Sequence, residues 1–217
     1  MSLQSSPIRV LLADDHEMVR EALARILEES GRVSIIGQTD DGIRLVEMAR
    51  NAPPDVIVLD YTLPGHDAPQ VIRMLLQAVP ELRVLVLTVH ENIHYAVRVL
   101  ETGAHGYLIK SAAVDELVGA IERVHNGGIY LSSKISDDVV EHMRRPKRER
   151  VGLESLSQRE FDFLRLIGSG MALQEVAKQM NITASTASTY RSRIIEKLNL
   201  GSTADLIRYA IEQDVVK

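Results

Sequence analysis

The 217-residue sequence contains no cysteine and no tryptophan, and only 6 tyrosines and 2 phenylalanines. Without cysteine there are no disulfides and no thiolate chemistry, and a reducing compartment is permitted. No apolar run approaches the ~20 residues of a membrane-spanning helix. The opening MSLQSSPIRVLLADD lacks the long apolar core and small-residue cleavage site of a secretory signal, so none is expected. These absences predict a cytoplasmic protein with no membrane partner. The composition is that of an ordinary globular chain, and the length suits one large domain or two modest ones.

Basic charge is scarce in the first part of the chain. Residues 1–143 hold 12 Lys and Arg against 21 Asp and Glu, whereas residues 144–155 hold 5 against 2. An acidic front and a basic stretch suggest separate jobs. The stretch RRPKRER at 144–150 reads as a solvated linker rather than a dedicated nucleic-acid patch.

Five short runs of β-branched residues and Leu stand out: IRVLLA (8–13), VSIIG (33–37), VIVLD (56–60), LRVLVLT (82–88) and GYLIK (106–110). They are nearly continuous rather than alternating, as strands buried on both faces should be. Helical spacing fills the gaps near 16–30, 41–51, 67–78, 92–102 and 113–126. Such alternation predicts an α/β fold, a doubly wound parallel sheet with helices on both faces. Right-handed crossovers then bring like strand ends to one edge. At that edge lie Asp14 and Asp15, then Asp60, Thr88 and Lys110. In open α/β sheets this is where ligands bind.

Converging carboxylates repel unless a cation sits among them. Oxygen donors favour Mg²⁺, which takes a few carboxylates, waters and a phosphate oxygen. A lysine across the pocket adds positive charge, and the whole suits phosphoryl transfer. The metal would keep Asp60 ionised as a carboxylate nucleophile able to form an acyl phosphate. A lone Asp after a strand is usually a turn former, but five such groups in order at one edge are not. His66 and His90 read as exposed loop histidines. Tyr107 is open to two readings, a core aromatic with a satisfied hydroxyl or a moving switch.

From residue 156 the pattern is all helical. Ser157 and Glu160 form a capping box before Phe161, Leu164 and Ile167. A short helix, LQEVAKQM, then the turn Asn181-Ile182-Thr183 and a longer helix make a helix-turn-helix. On the longer helix Ser185, Ser188, Thr189, Ser192 and Glu196 share one small polar face, with Ala187, Ile194 and Leu198 opposite. Small side chains allow close approach to base edges, while Arg193 and Lys197 lie at the sides for phosphates. Thr183 is expected to be an N-cap and a phosphate donor. A fourth helix runs to about Gln213. A plain helical hairpin with a solvated face fits this pattern equally well.

The stretches LLADDH, VIVLDYTLPGHD, VLVLT and GAHGYLIKS resemble the receiver domain of bacterial two-component response regulators. The stretches LSQRE, LQEVAKQM, TASTASTYRSRIIEKL and STADLI resemble the LuxR-type effector domain. Together they look like a NarL/FixJ-type response regulator, with a flavodoxin-like (βα)5 receiver at 7–130, a linker at 131–152 and a four-helix effector domain at 153–217. The resemblance implies Asp60 as phosphoacceptor, Asp14 and Asp15 as Mg²⁺ ligands with the Thr62 backbone carbonyl, and Lys110 on the phosphoryl group. It implies Thr88 and Tyr107 as the switch pair. It implies Thr183, Thr186, Ser188, Thr189, Arg191, Ser192, Arg193 and Lys197 at DNA. The implied partners are a sensor histidine kinase, double-stranded promoter DNA, RNA polymerase and, on phosphorylation, a second copy of the chain.

Four positions depart from the family's usual pattern: Ala68 follows Asp67 where Gly is common, Ser111 follows Lys110 where Pro is common, Ser188 stands where many members have Lys, and Ala187 replaces a common Val. Because a cis bond before a non-proline residue is costly, the family's cis peptide is not carried over. Haloacid-dehalogenase enzymes also use a strand-end Asp but carry a second Asp two residues on. Thr62 stands there, so no enzyme of that type is expected. The remaining alternative is a DNA-binding regulator whose receiver is never phosphorylated. The intact set at 14, 15, 60, 88 and 110 argues against it.

Overall fold

The computed structural model describes residues 6–111, 114–144, 146 and 151–216. The chain divides into two compact units, Met1–Val140 and Glu141–Lys217.

In the first unit the strands are β1 (Ile8–Ala13), β2 (Val33–Thr39), β3 (Val56–Asp60), the short hairpin β4 (Thr62–Leu63) and β5 (His66–Asp67), β6 (Arg83–Thr88), β7 (Gly106–Ile109) and β8 (Tyr130–Leu131). The helices are α1 (Glu17–Glu29), α2 (Gly42–Asn51), α3 (Ala68–Ala78), α4 (Ile93–Thr102) and α5 (Val114–His125). Among the described residues six strands form one sheet in the order β2-β1-β3-β6-β7-β8. Every neighbouring pair in it is parallel. Strand order reverses at β1, between β2 and β3, so the ends of β1 and β3 flank a switch point.

The near-continuous apolar runs have the expected cause. Val10, Leu12, Val56, Val58, Leu85, Leu87 and Leu108 pack with Leu27 of α1 and Ile121 and Val124 of α5. The alternate residues Leu11, Ile57, Leu59, Val84, Val86 and Tyr107 are buried as well, on the side that period-two geometry assigns to the other face. Polar caps start three helices on that side. Asp41, Asp67 and Asn92 accept from the backbone N–H groups of Arg44, Gln70 and His94.

The sheet has one strand more than the sequence runs suggest. Tyr130 and Leu131 pair with Gly106 and Tyr107. Two residues carry no periodicity, so β8 gives no signal of its own. The stretch expected as a linker therefore begins inside this strand. It also contains α6 (Ser136–Arg144).

In the second unit a 3-10 turn (Gly152–Ser155) precedes α7 (Gln158–Gly168), α8 (Leu173–Gln179), α9 (Ala184–Lys197) and α10 (Thr203–Glu212). The side chain of His142 is buried, with Nδ1 3.0 Å from Glu154 Oε1. Phe161, Phe163, Leu164, Val176, Ala187, Ile194, Leu206 and Ala210 form the buried apolar set. Gly168 lets α7 and α10 meet, since a Cβ there would lie 2.6 Å from the Ala210 Cβ. Asn181 takes φ of 53° at the turn between α8 and α9, the left-handed conformation asparagine tolerates.

The capping box of α7 is present, and it is tied to α9. Glu160 accepts from the Ser157 N–H at 2.8 Å and from Lys197 Nζ at 2.7 Å. Burial pushes the Glu160 carboxyl up, but the Lys197 ammonium and Ser157 donors outweigh it and leave the pKa below its usual 4.5. A depressed carboxylate stabilises the fold above its unfolded pKa and loses that contribution as pH falls through the folded one. The α7 amide protection factors in the intact protein should therefore drop below about pH 4.5. Glu160→Gln should lower protection at neutral pH and remove most of this acid sensitivity. An unchanged acid profile in the variant would contradict the role given to the pair.

Candidate functional site: an acidic pocket and a helix-turn-helix face

The pocket lies at the carboxyl-terminal edge of the sheet, beside the switch point. Asp14 and Asp15 follow β1, Asp60 ends β3, Thr88 ends β6 and Lys110 follows β7. Lys110 Nζ donates to Asp14 Oδ2 at 2.6 Å and to Asp60 Oδ2 at 2.7 Å. Asp14 is 1% exposed, Asp60 10% and Lys110 16%, so water does little to screen this pairing. Burial raises the Asp60 pKa above 3.8; Lys110 opposes the rise and Asp14 adds to it. Burial lowers the Lys110 pKa, but hydrogen bonds to Asp14 and Asp60 leave it raised above 10.5. The ammonium therefore stays charged at neutral pH.

One lysine does not neutralise three carboxylates. Asp14, Asp15, His16 and Asp60 offer ligand atoms that all lie within 4.8 Å of one another, a set that could hold a metal ion. Oxygen donors with net negative charge fit a hard divalent cation. His16 was not among the residues singled out in the sequence. Its N–H donates to Asp14 Oδ1 at 2.9 Å and its Nδ1 lies 2.5 Å from Asp15 Oδ1. Its place directly after two aspartates was the available signal. Thr62 is exposed and sits in the β4–β5 hairpin opposite Asp67, immediately beyond the pocket.

Behind the pocket Tyr107 is a core aromatic with a satisfied hydroxyl. Its ring is fully buried, and its hydroxyl donates to the His90 carbonyl at 2.8 Å. Burial pushes its pKa well above 10, so it remains a donor. Thr88 Oγ1 accepts from the His90 N–H at 3.1 Å. His90 is not the exposed loop histidine expected from sequence: it is half-buried and stacked on Tyr95, with centroids 4.2 Å apart and planes at 5°. Tyr61, directly after Asp60, meets Tyr95 edge-on at 4.7 Å. His66 is likewise half-buried, beside Gly42. No cis peptide occurs among the described residues.

In the second unit α8 and α9 form the helix-turn-helix. Thr183 caps α9 by accepting from the Thr186 N–H at 3.1 Å. Thr183, Thr186, Thr189, Ser192 and Arg193 are exposed, while Ser188 and Arg191 are half-buried. Thr189 and Ser192 donate their hydroxyls to the carbonyls of Ser185 and Ser188, both at 3.1 Å. Each oxygen keeps its acceptor capacity toward an outside donor. Ala187 and Ile194 are fully buried, as the opposite face requires. Lys197, counted in the sequence among residues for DNA phosphates, reaches Glu160 within the domain and is 42% exposed.

Comparison with known proteins agrees with this geometry. Residues 10–122 match the response regulator receiver domain, and residues 154–210 match the bacterial regulatory proteins of the luxR family. Response regulator GacA of Pseudomonas aeruginosa is 32% identical over 209 residues, covering 96% of this chain and 98% of that protein. Response regulator UvrY of Escherichia coli is 33% identical over 204 residues, covering 94% of each. The Salmonella typhimurium RcsB response regulator, at 23% identity, shares the fold with a TM-score of 0.76 over 96% of this chain and 99% of its own. The chain belongs to the two-component response regulators of the NarL/FixJ type, with a receiver domain and a LuxR-type helix-turn-helix domain.

The raised Asp60 pKa has a stability consequence. A carboxyl whose folded pKa exceeds its unfolded value destabilises the fold above that pKa, and the cost vanishes as pH falls below the unfolded value. In chelator at pH 7, Asp60→Asn should melt higher than the unmodified protein, and the gain should shrink toward about pH 4, the ordinary carboxylate range. A variant that melts lower at neutral pH would show that the Lys110 contact outweighs burial.

Proposed function

We propose that Asp60 accepts a phosphoryl group from a sensor histidine kinase, and that the phosphorylated chain binds promoter DNA as a homodimer. Receiver chemistry falls to residues 7–130 and DNA binding to 153–217, with 131–152 between them. The observation that carries this reading is the Lys110 ammonium held between Asp14 and Asp60 at the sheet edge. It supplies fixed positive charge where a phosphoryl group would sit beside a buried carboxylate.

Asp60 attacks the phosphorus of a phosphohistidine. A P–O bond forms, the P–N bond breaks, and the electron pair leaves with the imidazole. Asp14, Asp15, Asp60 and the Thr62 carbonyl would hold Mg²⁺, which supplies charge neutralisation for the phosphoryl oxygens. Lys110 moves its hydrogen bond to a phosphoryl oxygen, and the Thr88 hydroxyl donates to another. Tyr107 fills the space behind Thr88. A pocket that neutralises and positions in this way needs no further acid or base. The chain acts as a cytoplasmic regulator rather than an enzyme with a diffusible product.

On DNA, α9 enters the major groove and α8 lies across it. Thr183 and Thr186 meet phosphate at the α9 start. Ser188, Thr189 and Ser192 approach base edges, and Arg191 and Arg193 flank them. Lys197 holds α9 to α7 from within the domain. One such helix reads few base pairs, so two copies related by a two-fold axis are required. Leu206 and Ala210 are spent on the domain's own core, whereas Ile211 is 53% exposed and Ile207 half-buried. The outer face of α10, with Ala204, Arg208 and Ile211, is the proposed contact between copies. RNA polymerase is the downstream partner of such a regulator.

With Mg²⁺ and a small phosphodonor, mass mapping should find one labile phosphate, on Asp60. Full labelling of Asp60→Asn, or labelling that persists in chelator, would overturn the chemistry. For DNA, binding of a random-sequence duplex separates the two basic residues. Arg193→Ala should weaken binding uniformly and reduce the salt slope by about 1. Lys197→Ala should destabilise the fold yet leave the salt slope unchanged. A reduced slope in Lys197→Ala would return that residue to the interface.

A further inference from the structure

His90 is held from three directions at once. Its N–H is bonded to the Thr88 hydroxyl, its carbonyl to the Tyr107 hydroxyl, and its ring lies flat on Tyr95. Thr88 and Tyr107 belong to β6 and β7, beside the acidic pocket. Tyr95 sits in the first turn of α4, fully buried. One residue therefore joins both hydroxyls behind the pocket to the helix at its side. Tyr61 closes the group, meeting Tyr95 at 4.7 Å and His90 at 5.7 Å, both edge-on.

We infer that the His90 ring, through its stack on Tyr95, is a positioning element that carries the phosphorylation signal from the Thr88–Tyr107 pair to α4. This rests on the proposed chemistry at Asp60. The Thr88 hydroxyl accepts from the His90 N–H and keeps its own proton for a phosphoryl oxygen, so drawing it toward the pocket changes the pull on His90. A backbone shift at His90 cannot leave its ring in place. A coplanar stack resists being pulled apart, because ring contact falls off steeply with separation. Tyr95 is fully buried in close-packed surroundings, so it moves with α4 rather than within it. Tyr61 limits the ring pair to a small set of arrangements, because its edge abuts both. Such a packed, discrete element passes a sub-ångström shift on as a change of state.

The main chain and the ring of His90 separate by substitution. His90→Ala keeps the N–H and the carbonyl, hence both hydroxyl contacts, and removes the ring with its stack on Tyr95 and its edge contact with Tyr61. His90→Phe keeps an aromatic face without the imidazole nitrogens. Tyr95→Leu removes the stack from the other side and keeps an apolar core residue. In the intact protein, phosphate on Asp60 is quantified by mass. Amide exchange of residues 93–102 is measured with and without Mg²⁺ and beryllofluoride as the phosphoryl stand-in.

All four proteins should take the same phosphate on Asp60. The stand-in should alter α4 exchange in the unmodified protein and in His90→Phe. The ratio of exchange with and without it should shrink about fivefold in His90→Ala and Tyr95→Leu. A merely structural role would change exchange in both states alike and leave the ratio intact. A full response in His90→Ala, or loss of response in His90→Phe equal to that in His90→Ala, would overturn the inference. Absence of phosphate on the unmodified protein would instead overturn the chemistry at Asp60, and the coupling with it.

Discussion

The pocket is governed by the repulsion among carboxylates brought together at a sheet edge. Asp14, Asp15 and Asp60 are close enough to share one ion, and two of them are almost fully buried. Lys110 relieves part of that repulsion by bonding Asp14 and Asp60 together. Burial, with the Asp14 charge adding to it, leaves Asp60 with a raised pKa despite Lys110. Such an unfavourable arrangement is one that a bound cation would relieve.

The surrounding fold makes that arrangement affordable. Parallel strands buried on both faces give a rigid frame, and the strand ends deliver each group to the same edge. Chemistry and response are then close neighbours. Thr88 and Lys110 stand at the ends of adjacent strands, and the Lys110 N–H bonds the Thr88 carbonyl at 2.6 Å. Tyr107 lies in the β7 strand leading to Lys110. Whatever pulls on Lys110 or Thr88 therefore acts on the same two strands that support His90 and the aromatic group beside it. In the helical unit a comparable economy holds: Glu160 serves as capping residue and as anchor for the α9 lysine.

Much of this was legible from residue order. Apolar runs ending in Asp60, Thr88 and Lys110 located the pocket, because strand ends converge whatever the loops do. Ser157 with Glu160, and Asn181 before Thr183, located the helix boundaries, because caps and left-handed turns are local chemistry. What was not legible depends on contacts distant in sequence. Two-residue β8 is defined only by pairing with Gly106 and Tyr107. His90 and Tyr95 are five positions apart but stack only because the chain turns into α4 between them. Lys197 has the helical position of a phosphate contact, and only tertiary packing brings Glu160 within 2.7 Å. His16 was available in the sequence, directly after two aspartates, yet a loop histidine has no periodic partner to mark it.

Control of DNA binding by Asp60 is tested most directly by one titration. The intact protein is titrated with duplex promoter DNA at fixed salt, with and without Mg²⁺ and beryllofluoride, beside Asp60→Asn treated identically. The stand-in should tighten binding of the unmodified protein and leave the variant unaffected. Equal affinity of the unmodified protein in both conditions, or equal tightening in the variant, would contradict control through Asp60.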